Sequence, residues 1–210
     1  MNTTLRKAVP GDEHAFVKIK QQLPLTMTDG TTSTGGFLLG TDEETYLEYI
    51  NNCICLVAET AQEVVGFGII FPDHVLRGSD IWQRRHSAQW YIDLGTYESQ
   101  RLGYFEQFAF LRGYKRSAVL LAYNIARHAY LSGCETIFTT TVNKPILNLA
   151  AIPFIDAANG IKAGNIDEVY PLIGQINSDI YLVTAADFFS KAKAHPLYPF
   201  CAENTLDIQY

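Results

Sequence analysis

The stretch from Tyr104 to Gly133 does most to limit how this chain can fold. An aromatic run suited to a strand, Tyr104 to Leu111, meets the short basic turn Arg112-Gly-Tyr-Lys-Arg-Ser-Ala118, which opens a long amphipathic helix that Gly133 ends. Val119, Ala122, Tyr123, Ala126 and Tyr130 share one helical stripe, and Asn124, Arg127 and His128 share another that reads as a solvated face. The turn also carries chemistry. The first amides of a helix have no partner within it and point outward together, with the positive end of the helix dipole behind them, which suits a phosphate. Lys115 and Arg116 add charge there and Ser117 a hydroxyl. On local sequence alone the same residues read first as a basic helix start that is merely solvated, and the order of the surrounding elements changes that. The motifs G-x-x-x-x-G-K-[ST] and G-x-G-x-x-G are absent, which disfavours an ordinary NTPase or a dehydrogenase.

With 210 residues, 48% hydrophobic and 18% charged, the chain can bury a sizeable core in one domain or two small ones. No apolar run reaches the length of a membrane span, and the opening Met-Asn-Thr-Thr-Leu-Arg-Lys lacks the apolar stretch of a signal peptide. A cytoplasmic protein with no membrane partner is expected. Cys53, Cys55, Cys134 and Cys201 show neither C-x-x-C spacing nor a histidine pair, so buried free thiols are expected and no metal site. A net charge of -6 argues against nucleic acid as the main partner and leaves a small ligand.

Along the chain, Thr4 to Val9 predicts a strand and Glu13 to Leu23 a helix with Ala15, Phe16, Ile19 and Leu23 on one stripe. Thr26 to Gly40, rich in Thr and Gly, predicts a mobile loop suited to a lid. The capping signature Thr41-Asp-Glu-Glu44 then opens a helix to about Asn51. Cys53 to Glu59 and Glu63 to Phe71 predict a hairpin, Asp80 to Tyr91 a short helix, and Asp93 to Gly103 a connection. After the long helix come a strand, Glu135 to Val142, a helix, Asn148 to Ala158, and two strands, Val169 to Ile173 and Asp179 to Thr184. Pro171 would keep the first of these two near an edge. A last helix, Ala185 to Ala194, precedes an irregular tail. One α/β domain over 1–210 is expected, with an insert at about 76–103 and a C-terminal extension at about 185–210.

This order of elements resembles the GNAT superfamily of N-acetyltransferases over most of the chain. Leu5-Arg-Lys-Ala-Val-Pro-Gly-Asp12 is similar to the family's first strand and turn, and Leu56-Val-Ala-Glu59 with Val64-Val-Gly-Phe-Gly68 to its central hairpin. The family's acyl-CoA motif, [QR]-x-x-G-x-[GA] before a leucine pair, falls on Arg112, Lys115 and Ser117, with Leu120 and Leu121 as the pair. Only Arg112 agrees outright, and a shift of one residue would bring Ala118 to the last position. Asn148 and Ala151 match the family's N-x-x-A pattern. Its tyrosine acid has no counterpart, because Phe154, Ile155 and Asp156 occupy that region.

The resemblance implies a single-domain GNAT-like α/β fold, a mixed and mostly antiparallel central sheet flanked by helices. It implies acyl transfer from acetyl-CoA to a small-molecule amine, with Arg112, Lys115, Arg116, Ser117, Ala118 and Asn148 holding the donor and the amides of Phe108 and Phe110 polarising its carbonyl. Strand alternation puts Tyr104, Glu106, Phe108 and Phe110 on one face. Glu106 among aromatics would have a raised pKa, as a base acting near neutrality needs, although a carboxylate paired with an arginine at a strand edge fits the same position. Trp82, Arg84, Arg85, His86 and Trp90 could line a pocket for a carboxylate-bearing amine, or anchor a helix or a dimer contact. Tyr123 on the apolar stripe reads as core before it reads as a substitute acid. A GNAT-like module that binds acyl-CoA or another small ligand without turnover is the alternative, and a homodimer is compatible with the aromatic content.

Overall fold

The computed structural model describes residues 3–25, 29–36, 38, 40–170 and 173–207. In chain order its elements are β1 (Thr4–Lys7), α1 (Glu13–Gln22), β2 (Thr31–Thr32), α2 (Glu43–Asn52), β3 (Ile54–Glu59), β4 (Val64–Phe71), α3 (Asp73–Gly78) and α4 (Asp80–Arg84). A 3-10 turn at Arg85–Ser87 leads to β5 (Gln89–Trp90), α5 (Gly95–Glu98), β6 (Leu102–Phe110), α6 (Lys115–Leu131), β7 (Thr136–Lys144) and β8 (Leu147–Asn148). The chain ends with α7 (Ile152–Ala157), β9 (Ile161–Tyr170), β10 (Gly174–Thr184), α8 (Ala185–Ala194) and α9 (Tyr198–Glu203). No helix among the described residues is long and apolar enough to cross a membrane.

Eight strands form one sheet in the order β1-β3-β4-β6-β7-β10-β9-β5, in which β6 and β7 are the parallel neighbours and the other pairs are antiparallel. The fold is thus a mixed, mostly antiparallel sheet flanked by helices. On one face, Phe16 of α1 stacks on Phe67 of β4 at 4.1 Å, and Tyr46 of α2 meets both rings edge-on at 5.4 and 5.7 Å. Burial of each phenylalanine contributes roughly 1.5–3 kcal/mol. On the other face, Leu121 and Ile125 of α6 pack on Leu56 and Ile70.

Several elements differ from the expectations, each for a local reason. The helix expected over Asp80 to Tyr91 stops at Arg84: Ser79 caps it, and the chain then turns so that Gln89 and Trp90 pair with Asn165 and Gly164. Of the strand expected at Val169 to Ile173, Val169 and Tyr170 form the end of the longer β9, which begins at Ile161. Its polar residues find partners across the ladder, Asn165 and Asn177 exchanging hydrogen bonds at 2.5 and 2.6 Å. Pro171 lies outside the described residues. The helix expected from Asn148 begins at Ile152, after Asn148 has joined a two-residue parallel ladder in which Thr31 and Thr32 face Leu147 and Asn148. Part of the expected mobile loop is therefore tied across to the β7–α7 connection, while residues 26–28, 37 and 39 lie outside the description. The tail holds a further helix, α9, and Asn124 and His128 are buried, at 2% and 5% exposure, rather than solvated, with Asn124 Oδ1 accepting the Leu206 amide of the C-terminal segment.

Candidate active site

The site begins with a bulge. Ile69 of β4 pairs with Gln107, but its neighbour Ile70 pairs with Phe105, so Glu106 is an extra residue on β6. The bulge resets the alternation. Tyr104 and Ala109 pack with the α1 and α2 side, whereas Phe105, Phe108 and Phe110 pack toward α6, so the expected common face of Tyr104, Glu106, Phe108 and Phe110 does not form. What holds the bulge is buried and polar: Tyr46 donates to the Gln107 side-chain oxygen at 2.9 Å, and the Gln107 amide donates to Thr41 Oγ1 at 2.8 Å. Removing either partner would leave a buried group unsatisfied, at about 1–3 kcal/mol.

Past the bulge the sheet splits. β6 and β7 form ladder pairs only where Leu102, Gly103 and Tyr104 face Thr136, Ile137 and Phe138, with side-chain links beyond from Thr139 Oγ1 to the Phe105 carbonyl at 3.0 Å and between the Tyr104 hydroxyl and Thr140 Oγ1. A cavity of about 1610 Å³ occupies the gap and reaches both faces of the sheet, from Tyr49 and Arg84 on one side to α6 and α7 on the other. Leu111 donates its amide to Val65 of β4. Alternation from that bond turns the amides of Phe108 and Phe110 to the opposite edge, the one facing the gap.

Glu106 lines this cavity. Burial pushes its carboxyl up to about 7, with Asp80 and Glu168 pushing the same way, against a hydrogen bond with the Gln107 side chain and the charge of Arg84. Beside it the Tyr104 hydroxyl lies 2.7 Å from Thr140 Oγ1, and burial together with the Glu106 charge raises its pKa, so the phenol keeps its proton. Arg84 is already committed, hydrogen-bonded to Glu168 and 3.6 Å from Asp80. Arg85 pairs with Glu98 at 3.0 Å and covers the Trp82 ring at 4.4 Å, and the Trp90 indole donates to the Arg85 carbonyl at 2.9 Å. Of the five residues weighed for a carboxylate pocket, Arg84 alone reaches the main cavity, and its charge is matched.

On the α6 side, the Phe108 ring lies 5.8 Å from Phe110 and 5.0 Å from Phe154 of α7, which closes the floor with carbon where a tyrosine hydroxyl would be polar. Arg112, Lys115, Ala118 and Asn148 line the cavity. Gly113 turns the chain at φ +96°, a conformation that favours glycine, and no side chain among the described residues caps α6, so the amides before its first bond, Ala118 to Tyr114, are presented at the turn. Arg116 and Ser117 are engaged elsewhere, Arg116 over the Phe200 ring at 3.8 Å and Ser117 in a 2.7 Å hydrogen bond with Thr3.

No family model and no curated protein matches the sequence. Solved structures do match. The ribosomal-protein-S18-alanine N-acetyltransferase of Escherichia coli superposes with a TM-score of 0.57 at 13% identity, over 87% of this chain and 94% of its own. An acetyltransferase of the GNAT family from Streptococcus pneumoniae gives 0.56 at 14%, over 87% and 99%. This chain has the GNAT fold. YncA of Salmonella typhimurium, solved with its cofactor acetyl-CoA, gives 0.57 at 14%, over 88% and 94%. At these identities the likeness is one of fold.

Within the GNAT fold of this chain, sequence reasoning missed Gln107, Tyr104 with Thr140, and the acidic pair Asp80 and Glu168. The one local signal was two polar residues, Glu106-Gln107, together in an otherwise apolar strand. Alternation can bury one such residue, and two in succession ask for a bulge.

Proposed function

We propose that the chain is an acyl-CoA-dependent N-acyltransferase that moves the acetyl group of acetyl-CoA to a small-molecule amine. The observation that carries this reading is Glu106, raised to about 7, standing in the gap between β6 and β7 opposite strand amides that no strand among the described residues takes up. A thioester supplies an acyl group activated for attack by a neutral amine. Glu106, ionised above about pH 7, accepts the proton that the amine loses as its nitrogen bonds to the acyl carbon and the carbon–sulfur bond breaks. The amides of Phe108 and Phe110 polarise the acyl carbonyl and hold the donor arm along β6. Arg112, Lys115, Ala118 and the open amides of α6 suit a diphosphate, with Asn148 on the facing loop. Asp80 and Glu168 outnumber Arg84 at the other mouth and favour an amine over a carboxylate there.

The cavity spans both faces of the sheet, which lets donor and acceptor meet from opposite sides in one ternary complex. Four buried free thiols suit a reducing setting, and the cytoplasm is the proposed one. A second reading, binding without turnover, draws on Phe154, which gives α7 no hydroxyl to protonate the departing thiolate. Release of free thiol from acetyl-CoA, followed with a panel of primary amines, separates the two. The reading as an enzyme expects amine-dependent release that Glu106→Gln lowers about 100-fold or more. Unchanged turnover would remove Glu106 from the mechanism, and donor binding with no release would leave the binding module.

A further inference from the structure

The cavity does not end at α6. Beyond Lys115 and Val119 its outer wall is built by the C-terminal helices, through Phe188 of α8, His195 in the connection, and Tyr198 and Cys201 of α9. That wall is fastened along α6 from its first turn to its middle. Tyr123 stacks on Phe188 with ring centres 5.7 Å apart and meets Tyr198 edge-on at 6.1 Å, Arg116 covers Phe200, and Leu206 donates its amide to Asn124 Oδ1 at 2.7 Å. The half-buried Tyr198 ring is thereby held in place beside two exposed cations, Arg112 and Lys115, that line the same cavity. His195 Nδ1 accepts the Leu197 amide at 3.2 Å, so the neutral ring carries its proton on Nε2, a donor.

The position of this corner sets what it can hold. The reacting end of a donor must lie at Glu106, and the four residues from there to Phe110 carry β6 about 13 Å toward the α6 turn. The corner between α6 and α9 therefore faces the remote end of the donor, where acyl-CoA has a base, a ribose and phosphates. We infer that α9 and the connection before it form the nucleotide subsite of this protein: the Tyr198 ring stacks on the adenine, and His195 Nε2–H with Lys115 meets a phosphate. The inference rests on the acyl-CoA reading above. It is consistent with Arg116 and Ser117, two of the polar residues of the turn, holding the terminal segments and leaving the anion to Lys115.

The test compares acetyl-CoA with S-acetylpantetheine, which has the same thioester and arm but no nucleotide, by calorimetric titration of the wild type, Tyr198→Ala, Tyr198→Phe and His195→Ala. Stacking of ordinary strength makes Tyr198→Ala weaken acetyl-CoA by about tenfold or more while S-acetylpantetheine stays within about twofold, and Tyr198→Phe, which keeps the ring, binds as the wild type. His195→Ala shifts affinity with the same selectivity. Unchanged acetyl-CoA affinity in either alanine variant removes that residue from the subsite, and in both it overturns the inference. Equal loss of both donors overturns it too, since the nucleotide is then not what the corner reads. A wild type that binds acetyl-CoA keeps the acyl-CoA reading standing in all these cases, and one that binds neither donor overturns both.

Discussion

Replacing Glu106 with glutamine should make the folded protein more stable by an amount that grows as pH rises from 4.5 to about 7 and then levels off. Burial raises the carboxyl from 4.5 to about 7, so between those values the native state holds a proton that the unfolded chain has released. Stability of the wild type therefore falls as pH rises through this window, by at most about 3 kcal/mol once Glu106 is fully ionised. Glutamine has nearly the same shape and no charge to bury. The difference in unfolding free energy between Glu106→Gln and the wild type should be near zero at pH 4.5 and approach about 3 kcal/mol at pH 8, or about 6–12 °C in melting temperature for a chain of this size. Urea unfolding at the two pH values, read from the fluorescence of Trp82 and Trp90, measures it, and groups common to both proteins cancel in the difference. A gap that stays the same at both pH values would refute the buried, raised carboxyl. The same group predicts that wild-type kcat/KM, expressed per neutral amine, falls about tenfold per pH unit below about 7, a slope absent from the residual activity of the variant treated in the same way.

Thr141 is 4% exposed and its hydroxyl finds no hydrogen-bond partner among the described residues, so Thr141→Val should be neutral or stabilising by about 1 kcal/mol in denaturant unfolding; a loss would mean that the hydroxyl is satisfied. Asn124→Ala removes bonds to Leu206 at 2.7 Å and Leu120 at 2.9 Å, and should cost about 1–3 kcal/mol and expose the segment after α8 to limited proteolysis. A Cβ added at Gly113 meets nothing within 4 Å, yet φ there is +96°. Gly113→Ala should therefore lose about 1–2 kcal/mol from backbone strain alone, measured by thermal melting, and should bind acetyl-CoA more weakly as the turn shifts.

Elements with a strong local signal were legible in the sequence. The stripe of α6 and its stop at Gly133, the β3–β4 hairpin, and the start of α2, where Asp42 caps Thr45 at 2.9 Å, needed only neighbours in the chain. Glu106 was legible as a residue but not in its setting. The bulge that turns it into the gap is held by Tyr46 and Thr41, more than sixty positions away, and no local pattern reports such a bond. The first part of β9 was hidden for a similar reason: Lys162, Asn165, Asp167 and Glu168 look like loop residues until Asp179, Asn177 and Arg84 stand across from them. The polar face of α6 misled at Asn124 because that residue is bonded to a tail whose helix, six residues with Pro199 near its start, has too little periodicity to announce itself.

Calorimetric titration with acetyl-CoA, run on the wild type beside Lys115→Glu, tests the central claim most directly. The account predicts saturable one-to-one binding to the wild type and a clear loss of affinity when the charge at the start of α6 is reversed. No binding at millimolar acetyl-CoA, or binding that ignores the charge at position 115, would contradict it.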